Sequence, residues 1–207
     1  MAATTPTARE MPVGTGTRAR IYKAAQASFI AKGYERTTLK DIAQAADVPI
    51  GNVYYYYENK EALFLQIVLD NIARASASIA EIAEQPLPVT ERIHAAILDL
   101  VTSSVNSPTV AMLGSIEEIL DALSPENAKV VVAARHRYEK TFLALVSEGA
   151  AEGAVTAADT SIAAFAVLGM ATSCKRWFKR DGRVPLSTVA RMYAELGLRA
   201  LGAADPG

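Results

Sequence analysis

The sequence is poor in the residues that form disulfide frameworks and metal centres. It has one cysteine, two histidines and one tryptophan in 207 residues. A single cysteine excludes an intrachain disulfide and is typical of a protein kept in a reducing cytoplasm, where we expect this one to act. No run of eighteen uncharged apolar residues occurs, so we predict no membrane span. Residues 1–16 lack the apolar stretch of a secretory signal and are predicted to be a flexible tail.

The sequence also lacks the motifs of common catalytic sites. There is no glycine-rich phosphate loop, no CxxC pair and no serine elbow. Glu91 and His94 have the spacing of half a helical di-iron site, but no second such pair exists. Glu91 fits better as an acid in the first turn of a helix. We therefore predict that the protein is not an enzyme and holds no metal and no cofactor.

The residues that are present follow a helical period. Apolar residues make up 51% of the chain and charged residues 21%, and no stretch alternates as a strand does. The first helix should end at Gly33, and the second should begin after Thr38, which has the capping-box spacing to Asp41. A third, short helix should start near Pro49, and a fourth, long one near Asn59.

The same period continues through the rest of the chain. Proline, glycine and polar clusters separate further predicted helices at 89–105, 109–122, 126–151, 158–178 and 186–202. The prediction is an all-α protein of about nine helices, in which a compact three-helix N-terminal unit is joined by a long helix to a larger bundle.

Four consecutive tyrosines, at positions 54 to 57, stand on the third helix. Neighbouring side chains on a helix point about 100° apart, so the four cannot share one environment. Val53, Tyr56 and Tyr57 fall on one face and are predicted to enter the core. Tyr54 and Tyr55 fall on the other and should be exposed. Without further context, such a cluster is more often core and interface than nucleic-acid contact.

The context is a helix-turn-helix, because two short helices flank the tight turn at "ADV". The second of these helices has the size that fits the major groove of DNA. Asn52 could read a base edge or reach a phosphate. Lys60, at the start of the next helix, would bring a charge and backbone N–H groups towards a phosphate.

The stretch "TTLKDIAQAADVPIGNVYYYYENKEALF" resembles the DNA-binding segment of the TetR family of transcriptional regulators, over about residues 18–64. The resemblance implies a helix-turn-helix domain over 17–64 and a ligand-binding and dimerisation domain over 65–204. Three residues depart from the family pattern, namely Asp47 for the turn glycine, Pro49 for a capping serine and Ile50 for a frequently basic residue. The implied DNA-binding set is Thr38, Lys40, Ile50, Gly51, Asn52, Tyr54, Tyr55 and Lys60.

The resemblance also implies a mode of action. A homodimer formed through the last two long helices would bind palindromic double-stranded DNA, as a repressor, and a small hydrophobic or acyl-CoA-like effector would release it. The acyl-CoA class is suggested by "KRWFKRDGRVPLSTVA", which is similar to the ending of repressors of lipid and steroid breakdown. The candidate ligand-binding residues are Met112, Ile116, Leu120, Phe142, Phe165, Arg176 and Trp177.

Several alternatives stay open from the sequence alone. The apolar stripes of the last two helices could face the protomer's own core, and the basic residues around Arg176 could form a solvated helix end. Cys174 is expected to be a packing residue rather than a redox switch, and His136 a solvated or hydrogen-bonded residue. The alternative function is a helical scaffold whose helix-turn-helix no longer reads DNA.

Overall fold

A computed structural model describes residues 16–107 and 115–203. In these ranges the protein is all-α, with no strand, as predicted. The nine α-helices are α1 (Thr17–Lys32), α2 (Leu39–Ala45), α3 (Ile50–Tyr56), α4 (Lys60–Ala83), α5 (Val89–Asn106), α6 (Ile116–Asp121), α7 (Pro125–Ala151), α8 (Thr160–Ser173) and α9 (Leu186–Ala200). Most of the predicted tail, and the part of the predicted 109–122 helix that holds Met112, lie outside the described residues.

The chain divides into two compact units between Phe64 and Leu65. In the N-terminal unit, α1, α2 and α3 close around three aromatic rings. The ring centroids of Phe29 and Tyr34 are 5.5 Å apart, those of Phe29 and Phe64 5.8 Å, and those of Tyr34 and Phe64 4.6 Å. Phe29 and Phe64 are fully buried, as are the aliphatic side chains of Ile21, Ile42 and Leu63, so large rings and aliphatic groups together form this small core.

The connection from α1 to α2 follows the predicted signals. Gly33 ends α1 with φ 82°, a left-handed conformation that glycine adopts without strain. The buried Thr37 hydroxyl donates to the carbonyl of Gly33 at 2.7 Å. The capping box of Thr38 and Asp41 is present, and Lys32 donates to Asp41 at 3.0 Å. These bonds fix the start of α2 against the end of α1.

In the C-terminal unit, α5 packs against α7, α8 and α9. Small residues allow the helices to approach closely. A Cβ atom on Gly197 would lie 2.6 Å from Ile97 Cδ1 and 3.2 Å from Val167 Cγ1. The largest fully buried side chains of this core include Ile93, Phe142 and Leu198. Close contact between long helices therefore builds the bundle, rather than a cluster of rings.

Arg92 links three elements of the C-terminal unit. Its guanidinium donates to the Ala83 carbonyl at 2.8 Å and to the Leu87 carbonyl at 3.1 Å, at the end of α4 and in the following loop. The same group forms a two-pronged ion pair with Glu148 of α7. This pairing lowers the pKa of Glu148. The end of α4 is thereby tied to α5 and α7.

The helix predicted for 158–178 ends earlier than expected. It runs to Ser173 and tightens into a 3₁₀ turn over Cys174–Arg176, in which the Trp177 N–H donates to the Cys174 carbonyl three residues earlier, at 3.2 Å. This tighter bonding closes the last turn where the following chain cannot continue the helix. Cys174 is fully buried, and burial raises the pKa of its thiol, as expected for a packing residue.

Among the described helices, α4 is long and apolar enough to cross a membrane by length and composition. Helices of soluble proteins pass the same test. The first turn of α4 belongs to the aromatic core of the N-terminal unit through Phe64.

Candidate nucleic-acid interface

The turn between α2 and α3 is stabilised by Arg20 of α1, a residue that the sequence pattern did not single out. Asp47 has φ 51°, the left-handed conformation that aspartate tolerates better than most residues. The Arg20 guanidinium on α1 donates to the carbonyls of Ala46 and Asp47, and to the Asp47 carboxylate at 3.3 Å. Arg20 thus compensates for the missing turn glycine. Asp47, which stands in place of the turn glycine of the family pattern, is the sequence feature that could have indicated the need for such a partner.

The tyrosines of α3 divide largely as predicted. Tyr54 and Tyr55 are 58% and 77% exposed, whereas Tyr57 is 6% exposed and Val53 is fully buried. The prediction for Tyr56 is wrong, because its ring is 40% exposed and lies edge-on to Tyr55, 5.0 Å away. The helix ends at Tyr56, and the next residue is extended. That break turns only the Tyr57 ring inward.

The remaining predicted residues of α3 lie on the same exposed surface. Ile50, Gly51 and Asn52 are all exposed. A Cβ atom built on Gly51 would meet nothing within 4 Å, so the surface beside it is open. An open depression of about 680 Å³ lies between α2 and α3, lined by Thr38, Leu39, Lys40, Ala43, Gln44, Val48, Ile50 and Tyr54. Half of the predicted DNA-binding residues therefore line one concave surface.

Thr38 and Lys60 are already engaged within the chain. The Thr38 hydroxyl donates to Asp41 at 2.6 Å and accepts from the Asp41 N–H at 3.1 Å. The Lys60 ammonium donates to the carbonyls of Tyr34 at 2.9 Å and Glu35 at 3.2 Å, and lies 4.2 Å from the Tyr34 ring centroid. An ammonium has three N–H donors, so these two carbonyls and the ring face of Tyr34 together surround the charged end of Lys60.

Tyr34 serves as a structural partner of Lys60. Burial raises the pKa of Tyr34 to about 12, with further contributions from the negative charges of Glu61 and Glu35. The phenol therefore stays neutral at any physiological pH, and its ring face remains available to the ammonium. This arrangement positions the start of α4 next to the interface.

The predicted ligand-binding residues of the bundle that the structure describes range from fully buried to exposed. Phe142 is fully buried in the core, Ile116 and Leu120 are half-buried on α6, and Phe165 and Trp177 are 53% and 54% exposed. Arg176 is exposed. The Trp177 ring stacks on Tyr193 at a centroid distance of 6.2 Å, and its N–H donates to the Tyr193 hydroxyl at 3.2 Å. Six of the predicted residues therefore differ widely in burial, and the seventh, Met112, is outside the described residues.

The other candidates have ordinary structural contacts. His136 is exposed and lies 2.8 Å from Glu139, in agreement with the expectation of a hydrogen-bonded residue. No group of three metal-ligating side chains that could hold an ion is found in the described ranges. Glu91 lies in the first turn of α5, where a negative charge favours the helix.

Comparison with known proteins assigns both halves of the sequence. Residues 21–67 match the bacterial regulatory proteins of the tetR family, and residues 86–201 match the tetracyclin repressor-like C-terminal domain. A tetR-family regulatory protein from Rhodococcus RHA1 is 30% identical, with a TM-score of 0.80 over 93% of this chain and all of that one.

Two further relatives have more specific descriptions. The HTH-type transcriptional repressor KstR2 of Rhodococcus jostii (strain RHA1) is 23% identical over 202 residues, covering 96% of this chain and 97% of its own. AibR, solved with isovaleryl coenzyme A and operator DNA, shares the fold with a TM-score of 0.73 at 23% identity, over 87% and 96% of the two chains. Because the C-terminal match alone spans more than half of the sequence, the chain belongs to the tetR family of helix-turn-helix transcriptional regulators.

Proposed function

We propose that the protein is a repressor that binds a palindromic operator as a homodimer and releases it when a small hydrophobic or acyl-CoA-type effector binds. Residues 17–64 would form the DNA-binding domain and residues 65–204 the effector-binding and dimerisation domain. The observation that carries the proposal is that Asn52, Tyr54 and Tyr55 are all exposed on α3, a helix held by the fully buried Val53 side chain. Such a regulator would act in the cytoplasm.

The exposed face of α3 carries no formal charge between Ile50 and Tyr56. Hydrogen bonds from phenols and an amide can distinguish base edges or fix a phosphate. Tyr54→Phe removes one hydroxyl without changing the ring, so we expect operator affinity to fall about fivefold, the equivalent of ~1 kcal/mol for one hydrogen bond. Fluorescence anisotropy with labelled DNA measures this loss. Tyr193→Phe, the same change in the other unit, is the control and should leave affinity unaltered.

The first test of DNA binding uses duplexes from the region upstream of the protein's own gene. Anisotropy titrations against the native duplex and a scrambled duplex, each at two salt concentrations, separate specific from non-specific binding. We expect saturable binding that prefers the native duplex and weakens as salt rises. Equal affinity for both duplexes, with no salt dependence, would instead favour the helical scaffold.

The proposed dimer surface consists of the apolar residues that α8 and α9 expose. Ile162 and Phe165 on α8, and Met192 and Leu196 on α9, all lie at the surface of the single chain. Four exposed large apolar side chains on two helices call for a partner, and two copies would place two α3 helices on the two halves of a palindrome. Val189, Gly197 and Leu201 of the same predicted stripe face the protomer's core instead.

Light scattering after size-exclusion chromatography tests the dimer. Phe165→Asp introduces a charge at the proposed interface, so the mass should fall to that of one chain and operator binding should weaken with it. Val130→Asp, at an exposed apolar position on α7, is the matched control and should remain dimeric. A Phe165→Asp protein that is still dimeric would place the interface elsewhere.

The effector class is supported by the relatives and by exposed charge. The AibR structure contains isovaleryl coenzyme A, and here Arg176 stands beside Lys175 at the end of α8. We expect isovaleryl-CoA to dissociate the protein–operator complex, whereas coenzyme A and isovaleric acid should not. Release by an uncharged hydrophobic compound alone would assign the other effector class.

A further inference from the structure

The interior of the C-terminal unit contains polar oxygens that are buried without a partner. Asp99 Oδ2 on α5 and Tyr138 Oη on α7 are both inaccessible to solvent and form no hydrogen bond with any described residue. The Tyr138 side chain is 8% exposed. Ser76 Oγ on α4 is a third such atom. The large majority of buried side-chain polar atoms are hydrogen-bonded, so unpaired atoms on neighbouring helices call for an explanation.

Asp99 and Tyr138 lie on helices that pack against each other, since α5 contacts α7, and Leu100, the neighbour of Asp99 in the sequence, belongs to the same buried cluster as Tyr138. Burial raises the pKa of the Asp99 carboxyl group, and the nearby Ser78 of α4 opposes this shift. Burial also raises the pKa of Tyr138, and the charge of Asp99 raises it further. Tyr138 belongs to the apolar core with Leu100 and Phe142. A neutral phenol and a carboxyl group therefore lie on two packed helices in a mainly apolar bundle.

The chemistry of the pair defines what it can recognise. A carboxylate oxygen accepts a hydrogen bond, and a phenol can donate one. An alcohol hydroxyl can do both, whereas an ether or carbonyl cannot donate to Asp99 and an ammonium cannot accept from Tyr138. We propose that Asp99 and Tyr138 form the binding site for the hydroxyl group of an otherwise apolar effector. The inference rests on the proposed function, since it specifies the chemistry of the effector that regulates the repressor.

The stability of the free protein provides the first test. Binding residues that lack partners in the free protein do not stabilise it, so Tyr138→Phe should leave the thermal unfolding midpoint unchanged or raise it. Thr37→Val, which removes a buried hydroxyl bonded to the Gly33 carbonyl, is the control and should lower the midpoint. If Tyr138→Phe lowers the midpoint as Thr37→Val does, the hydroxyl is a structural group, paired with Asp99 or an internal water, and the proposal is overturned.

A matched pair of probes provides the second test. The molecules 1-hexanol and 1-methoxypentane have the same number of heavy atoms, but only the alcohol can donate. We expect hexanol to raise the unfolding midpoint of the wild-type protein relative to methoxypentane, and this difference to disappear in Tyr138→Phe and Asp99→Asn. Equal midpoints with the two probes in the wild type would overturn the site.

The two proposals can fail separately. Neither midpoint measurement involves DNA, so a protein that binds its operator but does not distinguish the probes keeps its regulatory function and loses this site. A protein that distinguishes the probes and binds no DNA has the hydroxyl site without the proposed function.

Discussion

The two units of the protein are specified by different means. The N-terminal unit depends on a few large side chains and on residues at fixed short spacings, such as the Thr38–Asp41 capping box. The packing of the C-terminal unit depends on glycines, because the lack of a side chain at Gly197 and Gly149 allows close contact with neighbouring residues. Local spacing can be read from one sequence, whereas complementarity between helices distant in the chain cannot. The function of the first unit could therefore be predicted from the sequence more readily than that of the second.

The largest effect should come from the aromatic anchor of α3. Tyr57→Ala removes a ring that is almost fully buried, so we expect the free energy of unfolding to fall by about 3–5 kcal/mol. Urea denaturation followed by circular dichroism measures the change. Tyr55→Ala, two residues away on the exposed surface, should be nearly neutral. Equal unfolding midpoints for Tyr57→Ala and the wild type would show that the tyrosines are divided differently.

The next effect should come from the closest helix contact of the bundle. In Gly197→Ala the new methyl group would collide with Ile97 and Val167, so we expect a loss of about 1–3 kcal/mol, partly offset by the better helix propensity of alanine. Differential scanning calorimetry resolves this change. A stabilised variant would mean that α5 and α9 are less tightly packed than described.

The same substitution in α3 should affect DNA binding and leave the fold intact. In Gly51→Ala the methyl group meets no atom of the chain within 4 Å, but it would lie on the surface that we propose for DNA binding. We expect about a tenfold loss of operator affinity, equivalent to ~1.4 kcal/mol, with an unfolding midpoint that is unchanged or slightly higher. Unaltered affinity would remove Gly51 from the interface.

The smallest effect should be on the stability of the fold at acidic pH. Hydrogen bonds from the Thr38 side chain and backbone, and then from Lys32, lower the pKa of Asp41. A carboxyl group whose pKa is lower in the folded state stabilises the fold above its ordinary pKa, near pH 4, and loses this contribution as the pH falls. We therefore expect Asp41→Asn to reduce the difference between the unfolding midpoints at pH 7 and pH 3. Asp121→Asn on α6 is the control and should keep the wild-type difference.

Helix positions and the helix-turn-helix could be predicted because they depend on neighbours in the sequence. The prediction for Tyr56 failed at a helix end, where one extended residue breaks the period on which the assignment relied. The contact between Arg20 and the turn could not be predicted, because the two lie 26 residues apart in the chain. The partnerless oxygens of Asp99 and Tyr138 also depend on the packing of separate helices, which apolar periodicity does not describe.

The internal contacts of Arg20, Lys32 and Lys60 have a consequence for the ion dependence of DNA binding. Each of these cations donates to oxygen atoms of its own chain, so a phosphate must compete with partners that are already in place. The number of counterions displaced from DNA follows the phosphates actually neutralised. A plot of log affinity against log salt should accordingly have a shallower slope than the basic residues of the N-terminal unit would give if each neutralised one phosphate.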